Sequence, residues 1–257
     1  MTIFNSVYKS FKEWDMDKWT LAQTSSWLSQ TWWGWVFFNP DGTKIYLTQY
    51  YNNWRIYESS LQNPYDLSNI DFSTYMSVAH PEDIHFSSDG TKMFIIKVDA
   101  APIGLIRYTL STAWDITTAT QDQVINGNTS DRWLYITPDG ENIYISNKTN
   151  NSIIRYTLST AWDLTTAWSS TTVSNSLGGI WIWFGDNWKM FFSQQEGSSD
   201  LNYYNLSTPY DLSTATLGWA KSVWANRAGW IWFNDNWTIC VMVWWWSNTN
   251  YVTKYTL

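Results

Sequence analysis

The chain has two histidines, His80 and His85, five residues apart in Ala-His-Pro-Glu-Asp-Ile-His. Together with Glu82 or Asp83 they have the residue types of a metal site. A Ser/His/Asp or Cys/His hydrolase would also need one of them, but no nucleophile-elbow motif accompanies them. Carboxylates recur as Asp41, Asp89 and Asp139, each followed by glycine, and as Asp15, Asp66, Asp115, Asp163 and Asp211, each preceded by an aromatic residue. Asp15-Met-Asp17 could touch a calcium ion, yet two carboxylates fall short of the roughly six to eight oxygens calcium takes. Trp244, Trp245 and Trp246 are consecutive, and Trp32, Trp33 and Trp35 form a second cluster. Exposed on loops, such rings stack on sugars or on a partner's side chains.

What positions these residues is a repeat. Five segments align without gaps, starting at Phe38, Phe86, Ile136, Phe184 and Phe233; the third reads Ile136-Thr-Pro-Asp-Gly-Glu-Asn-Ile-Tyr144. The aromatic-Asp pairs at Trp14, Tyr65, Trp114, Trp162 and Tyr210 are spaced by 51, 49, 48 and 48 residues. A period near 50 signals stacked copies of one supersecondary unit. Inside a unit, short runs rich in Ile, Tyr and Thr are separated by Asp-Gly or Asn-Asn punctuation, which reads as antiparallel hairpins. No stretch keeps a 3.6-residue period, so helices are expected to be few.

Four strands per unit of this length is the footprint of a β-propeller blade. The expected fold class is therefore all-β: a five-bladed β-propeller of four-stranded antiparallel blades, one domain over residues 1–257. The last unit ends before its aromatic-Asp turn, and Trp14 to about Ser26 supplies that turn and an outer strand. The N-terminal segment is thus expected to join the last blade, which removes an open sheet edge. Residues 1–11 would duplicate a strand, so a longer array of six or more blades stays open as the alternative.

In that frame the recurring residues become structural. A carboxylate demanded in every unit is a turn or strand cap before it is a catalyst. Asp41, Asp89 and Asp139 read as the first residue of a two-residue hairpin turn. His85 takes the place held by Phe37, Tyr135, Trp183 and Trp232, which points to space filling. No P-loop or dinucleotide fingerprint is present. No catalytic, metal or cofactor set is assigned, and Trp244, Trp245 and Trp246 are the candidate ligand- or partner-binding residues.

Composition narrows the partners. With 22 acidic against 15 basic residues the net charge is −7, which argues against nucleic acid, since phosphate contacts need clustered Lys and Arg. No run of about 18 apolar residues exists to span a membrane, and the first ten residues lack an apolar signal core. Cys240 is the one cysteine, so no intrachain disulfide framework forms. A protein or a carbohydrate is the partner expected.

Tyr144-Ile-Ser-Asn147, the turn Pro138-Asp-Gly140 and the twin tails Tyr108-Thr-Leu-Ser-Thr-Ala-Trp-Asp115 and Tyr156-Thr-Leu-Ser-Thr-Ala-Trp-Asp163 resemble YVTN-type and lactonase-like β-propeller repeats of bacterial surface and phage-associated proteins. The resemblance covers nearly the whole chain. It implies a propeller and an extracellular, cell-surface or virion-associated setting. Its functional implication is a non-catalytic recognition module, with a lactonase-like or glycan-acting enzyme as the alternative, because one fold hosts unrelated activities.

One oddity remains. The glycine at positions 42, 90 and 140 is replaced by Trp188 and Trp237 in the last two units. The chain holds 22 Trp against 12 Gly, while ordinary proteins carry glycine at about 7%. Reading many tryptophans as UGA codons that the gene's host decodes as glycine returns an ordinary repeat. The same substitution would turn Trp244–Trp246 into a small-residue loop, and crowding is expected around Trp181, Trp183, Trp230 and Trp232 if they stay as given.

Overall fold

The computed structural model describes residues 20–25, 33–49, 54–174, 181–185, 189–194, 200–222, 228–233, 239–246 and 249–256. Strand β1 (Thr20–Thr24) precedes four sheets, each built from one continuous stretch. The first holds β2 (Trp33–Phe38), β3 (Lys44–Gln49), β4 (Arg55–Ser60) and β5 (Thr74–Ser77). The second holds β6 (Pro81–Phe86), β7 (Lys92–Lys97), β8 (Gly104–Leu110) and β9 (Ala119–Asn126). The third holds β10 (Asp131–Ile136), β11 (Asn142–Asn147), β12 (Ser152–Leu158) and β13 (Ala167–Ser174). The fourth holds β14 (Trp181–Gly185), β15 (Met190–Gln194), β16 (Asp200–Leu206) and β17 (Ala215–Ser222). A further sheet is composite: β18 (Ala228–Phe233), β19 (Ile239–Trp246) and β20 (Thr249–Thr256) are completed by β1. Neighbouring strands are antiparallel throughout.

The repeat thus becomes four continuous blades and one sheet assembled from both chain ends. Thr20 pairs with Thr256 and Thr24 with Thr253, and Ser25 adds a backbone bond to Val252 at 2.8 Å. The possible extra strand at residues 1–11, and Trp14 and Asp15, lie outside the described residues.

The core sits between sheets rather than inside one. Val36, Phe38 and Leu47 of the first blade pack with Trp232, Val241 and Val252 of the composite sheet. Phe37 and Tyr46 meet Ile84 and Phe86, Phe94 and Ile96 meet Leu134 and Ile143, and Tyr135 and Tyr144 meet Phe184 and Leu206. The sheets are therefore joined in the order composite, first, second, third, fourth. Sequence follows this burial. The second strand, Asn-Ile-Tyr-Ile-Ser-Asn in β11, is buried on both faces beyond its first residue, whereas the outer β9 is mostly exposed. A sheet covered on both faces needs near-continuous apolar runs, and an outer strand does not.

The hairpin turns differ from the expectation. Gly42, Gly90 and Gly140 have φ of +71°, +71° and +75°, but the preceding aspartates do not share a positive φ. Each loop closes with the glycine N–H on the carbonyl three residues back, as Gly42 to Asn39 at 2.9 Å. This is a type I turn followed by a left-handed glycine, not a two-residue type I′ turn. Pro40 and Pro138 at the second turn position pre-set that geometry. Asp41, Asp89 and Asp139 instead accept the N–H two residues on, from Thr43, Thr91 and Glu141.

Candidate functional site

The aromatic-Asp pairs are the most elaborated polar features of the described residues. Asp66, Asp115, Asp163 and Asp211 each cap a three-residue 3-10 turn, taking the N–H of Ser68, Thr117, Thr165 or Ser213 at 3.0 Å. Side-chain acceptors satisfy the otherwise orphan donors of a helical turn. The same Ser or Thr hydroxyl bonds the carboxylate, which holds Asp66 and Asp163 below the ordinary carboxylate range. Just before each cap, Tyr65, Trp114, Trp162 and Tyr210 adopt φ of 58° to 65°. That conformation is costly for a bulky residue, and it turns the aromatic carbonyl toward the neighbouring blade.

Each of those carbonyls is taken by a donor from next door. Tyr46 donates its hydroxyl to Trp114 O at 2.7 Å, and Lys44 Nζ adds a second bond at 2.9 Å. Arg107 NH1 donates to Trp162 O at 2.8 Å, Tyr144 to Tyr210 O at 2.7 Å, and Lys254 Nζ to Tyr65 O at 2.8 Å. Three seams have a further brace. Glu58 accepts the Ile116 N–H, while Gln23 and Gln123 each donate to an Asp cap and accept from the next N–H, at Leu67 and Leu164. The recurring Asp residues therefore build seams, and their chemistry is spent there.

The two histidines do not converge. His85 packs its ring 5.3 Å from Phe37 and edge-on to Tyr135 at 6.0 Å, with Nδ1 2.9 Å from its neighbour's carbonyl. Burial pushes it down to about 4, so it fills space as a neutral ring. Asp83 is fully buried and accepts the N–H of Ile84 at 2.6 Å and of Leu134, in the next blade, at 2.7 Å. Burial raises its pKa well above the usual carboxylate value. Glu82 faces Arg132 at 3.6 Å. Among the described residues no group of three or more His, Cys, Asp or Glu is arranged to hold a metal. Cys240 is buried, and burial raises its thiol pKa.

His80 belongs to a surface cluster that sequence reasoning missed. Its ring packs against Trp54 at 4.0 Å between centroids, tilted by 37°, and Nδ1 lies 3.0 Å from Asp99 Oδ2. Both Trp54 and His80 have positive φ, 45° and 50°. Beside them the Arg55 guanidinium lies 3.8 Å over the ring of Tyr75, a cation–π contact. An exposed indole, an imidazole and a half-exposed carboxylate make a ledge suited to a flat or CH-rich group. The only sequence sign was Asn52-Asn-Trp54, a turn-like run holding an indole.

Trp244, Trp245 and Trp246 are not the loop the repeat implied. They extend β19 and pair with Tyr251, Asn250 and Thr249. Tryptophan favours a pleated strand over a turn, which accounts for the longer hairpin. Trp35 is buried, and Trp232 packs 4.8 Å from Phe38 and 5.8 Å from Tyr65. Trp32 and the side chains of Trp33, Trp181, Trp183 and Trp230 lie outside the description.

No protein-family model matches the chain, and no curated protein does. Solved structures do. A functionally unknown protein from Desulfotomaculum acetoxidans has a TM-score of 0.50 at 13% identity, covering 83% of this chain and 63% of that one. A candidate 6-phosphogluconolactonase from Bacteroides uniformis has 0.49 at 17%, covering 73% and 54%. The Cps50 (Swd1) β-propeller domain of Myceliophteria thermophila has 0.49 at 8%, covering 93% and 99%. The fold is a β-propeller. At these identities the likeness is one of fold, and the chain spans less than two thirds of the first two relatives. Among the described residues no helix is long and apolar enough to cross a membrane.

Proposed function

We propose that this β-propeller closes as a ring of five blades over residues 1–257 and serves as a non-catalytic recognition module. The supporting observation is its rim. Among the described side chains, each of the five outer strands leaves a large apolar one in solvent: Leu21, Tyr75, Val124, Trp168 and Leu217. Single exposed apolar residues are ordinary on any surface, but recurrence on every outer strand supports a contact role. The seam side chains are committed to holding the scaffold, which gives such contacts a rigid base. The partner is a protein along the rim. A carbohydrate is the second ligand class, with Trp244, Trp245 and Trp246 as contact residues. The setting is a cell surface or virion.

The test uses the triple change Leu21→Ser, Trp168→Ser and Leu217→Ser. These exposed substitutions are expected to move the thermal midpoint by only a few degrees and to abolish partner retention in crosslinked pull-downs from source cells. Unchanged retention removes the rim from the proposal. Turnover of an aldonolactone or glycoside by the purified protein, lost on Asp99→Asn, would establish a lactonase-like or glycan-acting enzyme instead.

A further inference from the structure

We infer that the native polypeptide carries glycine, not tryptophan, at position 188, and by the same repeat position at 237, because the gene's host reads UGA as glycine.

The argument starts from three turns in which glycine is present. At Gly42 an added Cβ would stand 2.4 Å from the ring of Tyr65; at Gly90 it would stand 2.2 Å from Trp114, and at Gly140 2.3 Å from Trp162. Each ring is that of the aromatic-Asp pair of the same blade, and each lies directly on its glycine. Backbone bonds clamp the pair: Tyr65 N–H on Gly42 O at 2.8 Å, Trp114 on Gly90 at 3.0 Å, Trp162 on Gly140 at 2.9 Å. Neither partner can retreat. The positive φ adds a second objection to any side chain.

The fourth blade rebuilds this cage from its described residues. Tyr210 has φ of 61°, matching Tyr65, Trp114 and Trp162. Its ring lies 5.5 Å from Phe184, as Tyr65 lies 5.4 Å from Phe38 and Trp114 5.3 Å from Phe86. The residue after that position accepts a leucine N–H in all four continuous blades: Thr43 from Leu61, Thr91 from Leu110, Glu141 from Leu158 and, in blade four, Lys189 from Leu206 at 2.8 Å. The described residues of the fourth blade therefore match those that surround a turn glycine in the first three. If the turn of the fourth blade repeats those of the first three, a side chain at 188 meets the Tyr210 ring as a Cβ at Gly42 meets Tyr65. The remaining tryptophans of this kind, Trp114 and Trp162, are the lids and not the floor, so they are genuine.

The inference stands apart from the recognition proposal, because its readouts are codons and stability, not binding. The coding DNA is expected to show UGA at 188 and 237 and UGG at 114 and 162; UGG at 188 overturns it. The protein test compares the chain as given with Trp188→Gly in urea. The variant is expected to raise the folded-to-unfolded ratio at least about tenfold, from relief of backbone strain and overpacking. Trp114→Gly, which removes a lid, is expected to lower it. An unchanged or lowered ratio for Trp188→Gly overturns the inference whatever the codon. UGA at 244–246 as well would withdraw those residues from carbohydrate contact and leave the rim proposal intact.

Discussion

The seam between the second and third blades and the seam between the third and fourth close onto the same acceptor by different means. At the first, Arg107 reaches the carbonyl of Trp162 and is steadied by a bidentate pair with Asp122, at 3.0 and 2.7 Å. At the second, the hydroxyl of Tyr144 reaches the carbonyl of Tyr210. The strand position that carries Tyr144 holds Phe94 in the second blade, which has no donor to offer. The composite sheet repeats the lesson: Val241 stands at that position, and Lys254 opposite it donates instead. What is kept from blade to blade is the left-handed aromatic carbonyl. The donor is interchangeable between a phenol on the second strand, joined in the first blade by Lys44, and a cation on the third.

Three experiments press on that comparison. The largest effect is expected from Arg107→Ala, which leaves Asp122 with the Thr109 hydroxyl alone and the Trp162 carbonyl without its donor. A loss of about 2–3 kcal/mol in urea unfolding is expected; a loss under about 0.5 kcal/mol would show that the seam rests on packing alone. Tyr144→Phe keeps the ring and removes one neutral hydrogen bond, so about 1 kcal/mol is expected. If the donor is interchangeable, adding Phe94→Tyr to Arg107→Ala should recover part of the first loss, as judged by a double-mutant cycle. No recovery would tie each donor to its own blade.

The smallest effect at neutral pH is that of His85→Phe, which gives the second blade the residue its neighbour has at Phe37. His85 in the folded chain sits at about 4, below its ordinary 6.5. The unfolded chain therefore takes up a proton first, and stability falls as pH drops from 6.5 toward 4. In the variant that part of the slope should vanish. Asp83, whose folded pKa is raised, acts in the opposite direction, with stability lost as pH rises above its ordinary 3.8. It is common to both proteins, so their difference isolates the imidazole. Parallel pH–stability curves would show that His85 is solvated.

The repeat made the strands legible, because Asp-Gly and aromatic-Asp punctuation fixes where each hairpin turns. It also exposed the Asp caps, since a local Asp-x-Ser/Thr contact is written within three residues. The seam donors were hidden. Tyr46 and Trp114 are 68 residues apart, and nothing near Tyr46 announces that its hydroxyl faces a neighbour's carbonyl. The turn type was misread because the Asp side chain takes the N–H two residues on and holds a type I turn, with or without proline at the second position. The Trp54–His80 contact was invisible for another reason: both residues are in conformations that their side chains disfavour, so no propensity points there.

The composite sheet has a consequence for the order of assembly. Every other sheet joins strands that follow one another, so it can zip from its own hairpins. The bond from the Thr20 hydroxyl to Thr256 spans 236 positions. Closing so large a loop is entropically slow. A ribosome delivers β1 before its partner β20, and the other described strands emerge between them. Until then β1 is a bare edge, open to whatever strand comes first. Among the described strands, the earliest made is the last one used.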